Sequence, residues 1–298
     1  MSQTITTAVF PVAGFGTRML PATKSVPKEM LTVVDRPLVH YVVQEALNAG
    51  IKRFVFVTGR NKQCIEDYFD HIPELEDSLE AKQKLDLLEA VRSFPDAGEA
   101  IFLRQQKPLG LGHAVWCARH VIDAPFAVLL PDVILKDDGF LARMVQLHEK
   151  TKKNVVALQR VDPEQVFKYG IVGHKPTDND EYEITSMVEK PSVGYAPSDM
   201  SLLGRYIFTP EIIDLLEHTQ AGKGGEIQLT DAMQSLLLHQ GFSGLDYRGK
   251  LFDCGSREGF IEANLDLAYD DPALRATIEQ WVRDNMDISS LFSQVKVA

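Results

Sequence analysis

The chain has 298 residues, a formal net charge of −11 and 45% hydrophobic residues. That length supports one large core or two modest ones, and the acidic balance argues against a nucleic-acid or membrane-surface role. Cys64, Cys117 and Cys254 are isolated and lack C-x-x-C spacing, which sets aside a disulfide framework and a zinc cluster. Residues 1–7 lack the basic start and apolar centre of a secretory leader, and no apolar run approaches the ~18 residues of a membrane span, so a cytoplasmic protein is expected.

In chain order, residues 7–12 form an apolar run that reads as a first strand, and the turn Gly14-Phe15-Gly16 follows it. Residues 14–28 then carry Arg18, Lys24 and Lys28 and no acid, against the negative charge of the whole chain. A glycine turn with exposed N–H groups and three cations beside it suits a polyphosphate, with Lys24 the weaker contact. It is neither of the two common phosphate loops. No Gly-Lys-Ser/Thr occurs, and Met19 stands where G-x-G-x-x-G needs its third glycine.

Residues 37–49 read as a helix opened by Asp35 and Pro37 and stopped by Gly50, residues 53–58 as a strand, and Asn61 as the cap of a short helix ending at Phe69. Residues 73–93 predict one charged amphipathic helix. Strands are expected at 99–104 and 126–130, with a helix over 113–121 between them. Gln105 follows the first of these strands, and its carboxamide, one donor and one acceptor, suits the imide edge of uracil or thymine. A second glycine turn, Gly110-Leu111-Gly112, opens the helix, where His113 reads as a helix-start residue or a ligand. Asp132 closes the next strand after Pro131, a lone carboxylate where a doubly wound sheet puts its functional edge. One or two carboxylates completed by phosphates and water are how magnesium is held; a turn or helix cap is the other reading.

The second half has candidate strands at 155–159, 170–173, 183–188 and 202–208 with few long helices between them, which predicts mixed or antiparallel pairing, and a hairpin tip at 176–183. Helical patterns return at 210–217, 228–239 and 257–267. Glu189-Lys190-Pro191 ends a strand, so a carboxylate for sugar hydroxyls and an ammonium for phosphate share one segment, or form an ordinary surface pair. Asp253, after a short strand and before a helix, is a second metal carboxylate or a cap. No linker separates the halves, so one domain is expected over 1–298: a nucleotide half to about 135, a sugar-phosphate half over 136–270 and a C-terminal helical segment over 271–298. In that last segment Leu274, Ile278, Trp281, Val282, Met286, Ile288, Leu291 and Phe292 recur at roughly helical spacing, as an oligomer contact or a helix docked on its own core.

Taken together, PVAGFGTRMLPATKSVPKEML, RQ followed by GLGHAV, LPDVIL, YGIV, VEKP, LGRY, GEIQLTDA and DCG keep the order and spacing of the sugar-phosphate nucleotidyltransferase family over residues 9–264, and most resemble its bacterial UTP–glucose-1-phosphate uridylyltransferase group. Phe15 replaces a usual aliphatic residue, and Gln106-Lys107-Pro108 departs from the common loop. The resemblance implies an α/β, Rossmann-like three-layer fold with a mixed, mostly parallel central sheet and a sugar-binding subregion. It implies transfer of UMP from UTP to glucose 1-phosphate with Mg2+; the same chemistry on dTTP or another hexose, or a noncatalytic regulatory subunit, are the alternatives. The implied nucleotide contacts are Ala13, Gly14, Gly16, Thr17, Glu29, Gln105 and Gly110, with Arg18 and Lys28 on the triphosphate. Asp132 and Asp253 match metal ligands, Gly170 and Glu189 sugar contacts, and Lys190 the lysine on the sugar phosphate. A homo-oligomer, dimer or tetramer, is also implied.

Overall fold

The computed structural model describes residues 5–94, 98–137, 139–177 and 180–286. Strand β1 (Thr7–Pro11) leads through three short 3-10 turns to a small ribbon, β2 (Thr32–Val33) and β3 (Arg36–Pro37), which delivers α1 (Leu38–Asn48). There follow β4 (Arg53–Thr58), α2 (Gln63–Phe69), α3 (Pro73–Ala81), α4 (Leu85–Arg92), β5 (Glu99–Arg104), α5 (Leu111–Cys117), β6 (Phe126–Leu129), β7 (Val133–Leu135) and α6 (Phe140–Thr151). The chain continues as β8 (Asn154–Arg160), β9 (Gly170–Pro176), β10 (Glu181–Glu189), β11 (Met200–Phe208), α7 (Glu211–His218), α8 (Leu229–Leu237), β12 (Phe242–Asp246), β13 (Leu251–Asp253), α9 (Arg257–Asp270) and α10 (Pro272–Asn285).

Nine strands form one sheet in the order β5-β4-β1-β6-β11-β8-β12-β10-β9. Pairing is parallel from β5 to β6 and between β8 and β12, and antiparallel at the other neighbours, so the sheet is mixed as expected but evenly divided rather than mostly parallel. Strand alternation divides the core into two. Ala8, Phe10, Phe54, Phe56, Val155 and Ala157 face α1, α2 and α6, while Val9, Val55, Val57, Val156 and Leu158 face α5, α7 and α8. A third, smaller cluster joins Val33, Leu38, Ile134, Phe252, Cys254 and Ala263 under the ribbon of β7 and β13. None of the described helices is long and apolar enough to cross a membrane.

Two expectations need correction. The single helix over 73–93 is two, α3 and α4, because Gln83 turns left-handed at φ 55°. Its N–H reaches Glu80 O at 3.0 Å and that of Lys84 reaches Leu79 O at 2.9 Å, the paired closure that normally uses glycine. Asn61 does not cap α2: it takes φ 59° one residue too early, and Lys62 holds the cap position without a side-chain bond to the helix end. Helix α6 and strand β12 were not anticipated, and α5 starts and ends earlier than its pattern suggested. Ile288, Leu291 and Phe292 lie outside the described residues.

Candidate active site

The four parallel strands β5, β4, β1 and β6 end at one edge, and their carboxyl ends lead into Gln105, Gly59, Ala13 and Asp132. A cleft of about 450 Å³ opens there, lined by Ala13, Gly14, Gly16, Thr17, Lys28, Gln105, Gly110, Asp132 and Glu226 among others. Crevices outside the carboxyl ends of such strands are where α/β sheets bind ligands.

The first loop is shaped around Lys28. Gly16 takes φ 63° at the start of the turn Thr17–Met19, and a Cβ there would lie 3.0 Å from Lys28 Cβ. Only glycine meets both demands. Lys28 Nζ donates to Asp132 Oδ2 at 2.6 Å. Burial alone would lower the Lys28 ammonium, but Asp132 and Glu29 overcome it and hold its pKa above the usual range. Burial likewise opposes ionisation of Asp132, and Lys28 outweighs it, so that carboxyl sits below its ordinary value. Both groups are therefore charged at neutral pH. Arg18 reaches over the cleft, 3.9 Å from Asp132 and 3.6 Å from Asp253.

The two carboxylates share one small space beside Gly255. A Cβ on Gly255 would lie 2.9 Å from Asp132 Oδ2, 2.9 Å from Asp253 Oδ1 and 2.5 Å from Arg18 Nη2. The ribbon fixes this juxtaposition: Asp253 pairs with Val133, and Cys254 N–H donates to Asp132 O at 2.8 Å. Among the described residues no group of three or more His, Cys, Asp and Glu gathers as a metal centre. Two carboxylate oxygens that converge on one point beside Gly255, where Arg18 also reaches, nevertheless suit a hard cation that takes its remaining ligands from phosphates and water.

Glu29 stands apart from the cleft. Its side chain is fully buried, and Lys62 Nζ donates to Oε2 at 2.6 Å, while Oε1 is buried without a partner. Burial raises its pKa, with Lys62 and then Lys28 opposing. Glu29 therefore underpins the loop that presents Lys28.

At the Gly110 turn, φ is 100° and a Cβ would come 2.7 Å from Glu226 Cβ, so the backbone is closely packed here. Gln105 is buried, and its Nε2 donates to Gly110 O at 3.1 Å and lies 3.0 Å from His113 Nδ1. The donor half of the carboxamide is thus engaged within the protein, and Oε1 is the half left over.

Gly170 and Glu189 are directly paired across β9 and β10. Glu189 Oε2 accepts from Thr230 Oγ1 at 2.8 Å, and Lys190 Nζ lies 3.2 Å from Oε1. Burial and then Asp253 push the neighbouring Tyr169 hydroxyl up, with Arg18 opposing, which places this segment beside the carboxylate pair. Lys24 is exposed and does not line the cleft.

Three contributors were not singled out from sequence: Glu226 on the cleft wall, Thr230 on Glu189, and Gly255 between the aspartates. The first two sit in GEIQLTDA, and the signal was available there. That segment bonds the Gly110 loop through Ile227 N–H to Leu109 O at 2.7 Å and Gly112 N–H to Ile227 O at 2.9 Å, so one short stretch joins that loop to Glu189.

Comparison with known proteins agrees with this geometry. The nucleotidyl transferase family model matches residues 8–269. UTP–glucose-1-phosphate uridylyltransferase of Bacillus subtilis strain 168 is 47% identical over 270 residues, 90% of this chain and 92% of the relative. The structure of a UTP-bound UGPase from Acinetobacter baumannii superposes with a TM-score of 0.83 at 42% identity, covering 98% of this chain and all of the other. A UDP-glucose pyrophosphorylase complexed with UDP-glucose superposes with a TM-score of 0.82 at 39% identity, covering 90% of this chain. The chain belongs to the nucleotidyl transferase family and, within it, to the UTP–glucose-1-phosphate uridylyltransferases.

Proposed function

We propose that the protein transfers UMP from UTP to α-D-glucose 1-phosphate, giving UDP-glucose and pyrophosphate. The observation that carries this reading is the cluster of Lys28, Asp132, Arg18 and Asp253 at the mouth of the glycine loop, in a chain whose relatives carry that name. Glucose 1-phosphate already bears a nucleophilic phosphate oxygen. It attacks the α-phosphorus of UTP, the bond to the bridging oxygen of the β-phosphate breaks, and pyrophosphate leaves with the electron pair. No protein nucleophile is needed, so catalysis rests on positioning and on charge neutralisation.

The position of each residue supports a role for it. Ala13, Gly14, Gly16 and Thr17 present backbone to the nucleotide phosphates; Gln105 and Gly110 face the base. Arg18 and Lys28 are placed to stabilise the departing pyrophosphate. Gly170 and Glu189 take the sugar hydroxyls, and Lys190 the attacking phosphate. A divalent cation, which we assign as Mg2+, would be held by Asp132 and Asp253 and would supply charge neutralisation between two anionic substrates. The exposed Trp281 and Leu274 of α10 support a homo-oligomer, and the phosphorylated substrates suit a cytoplasmic setting.

Pyrophosphate release, measured over UTP, dTTP, CTP, ATP and GTP against several sugar 1-phosphates with and without Mg2+, tests the reading. UTP with glucose 1-phosphate is expected to be the fastest pair and to yield UDP-glucose. Release from no pair, or equal release from every nucleotide, would overturn it.

A further inference from the structure

The amide end of Gln105 is decided by chemistry alone. Gly110 O, 3.1 Å away, is a carbonyl oxygen and only accepts, so the atom facing it is the Nε2 donor. The second N–H of that nitrogen then points at His113 Nδ1, 3.0 Å away, which must be the unprotonated, accepting nitrogen of the ring. Burial, and then the charge of Arg119, keep the imidazole pKa below its usual value, in keeping with a neutral ring. The other neighbour of the same Nδ1 is the Cys117 thiol at 3.8 Å, a weak donor that does not compete with an amide. Both N–H groups of Gln105 are therefore occupied inside the protein. What the side chain offers the cleft it lines is an acceptor only.

We propose that His113 is a positioning residue for base selection: by holding the second N–H of Gln105, it fixes Oε1 toward the nucleotide, so that the site accepts from the imide N–H of uracil and repels the unprotonated ring nitrogen of cytosine. The inference rests on the assignment of this cleft to the base. Without the Nδ1 acceptor the carboxamide keeps a single anchor, its second N–H seeks another partner, and the amide turns a donor toward the base. Discrimination then falls even though Gln105 remains.

The experiment compares kcat/KM for UTP and CTP by pyrophosphate release in His113→Ala, His113→Asn, His113→Gln and Gln105→Leu, with KM for glucose 1-phosphate as a control. Asn carries its side-chain oxygen near the Nδ1 position and Gln near the Nε2 position. We expect the UTP-to-CTP ratio to fall about tenfold in His113→Ala and His113→Gln and to stay within about threefold of the parent in His113→Asn, the size of one hydrogen bond. KM for glucose 1-phosphate stays unchanged. Should His113→Ala fail to fold, the Asn and Gln pair carries the comparison, and the difference in melting shift given by UTP and by CTP follows the same order. Equal ratios in the Asn and Gln variants, or an unchanged ratio in His113→Ala, would overturn the role of His113. An unchanged ratio in Gln105→Leu would instead remove the base-site assignment, and the inference with it.

Discussion

Lys28 serves the fold and the reaction with the same charge. Its ammonium holds Asp132 ionised within an apolar strand end, and lines the cleft proposed to take the polyphosphate. Lys28→Ala is expected to lower kcat about 10²- to 10³-fold, the usual loss for a donor aimed at developing charge, with UTP binding retained. Steady-state turnover at saturating Mg2+ checks this, and a near-parental kcat would make Lys28 a bystander. Gly255 gives a second, sharper expectation. Alanine there would place a methyl 2.5 Å from Arg18 Nη2 and 2.9 Å from an oxygen of each aspartate, so these three side-chain ends must shift aside while no backbone atom is crowded. Gly255→Ala should therefore change stability by about 1 kcal/mol or less while raising the midpoint of the Mg2+ dependence about tenfold. An unchanged midpoint would mean that the aspartates do not act together. Lys28 and Asp132 were legible in the sequence because each is a charge out of pattern, one in an acid-free loop and one on an apolar run. The part played by Gly255 was not, since it exists only when residues some hundred positions apart are brought together.

Among the elements, α1 and β11 meet through one fully buried ion pair. Arg205 donates to Glu45 at 2.8–3.0 Å, and also to Leu130 O at 3.0 Å and Val133 O at 2.7 Å, the carbonyls on either side of Pro131-Asp132. The guanidinium thereby clamps the turn that carries the Asp132 carboxylate. Glu45→Gln should cost about 3–5 kcal/mol, because it leaves a buried cation short of its counter-charge. The double variant Glu45→Leu with Arg205→Met should recover most of that stability but not the turnover, since methionine cannot hold the two carbonyls. Urea denaturation and kcat on the same samples separate the two effects; full turnover in the double variant would deny the clamp. Helices and strands were readable here in β4, β5 and α1, whereas α6, one residue longer than α1, was not. The break at Gln83 was not, because its closing bonds use a left-handed glutamine where a reader looks for glycine. Nor was the pairing of β7 with β13, whose three residues each are too few for a pattern.

At the scale of the whole molecule, α10 stands out in having no buried residue, with Trp281 56% exposed. Removing residues 273–298 should leave the core and the turnover intact and lower the mass in light scattering, if this helix joins copies of the chain. An unchanged mass would remove it from the interface. The ribbon of β7 and β13 has the opposite character, small but central. It is a separate two-stranded piece, resting on its own minor cluster beside the nine-stranded sheet, yet it sets Asp132 against Asp253. Two-stranded pieces open locally at a lower free energy than the sheet they flank. On warming, the ribbon should release first, separating the aspartates in molecules whose sheet is still whole. The temperature of greatest activity would then lie several degrees below the melting midpoint, with reversible loss of turnover between them. Amide exchange at Val133–Leu135 and Leu251–Asp253 should rise across that interval while β1 and β4 stay protected, so heat would silence the enzyme well before it unfolds it.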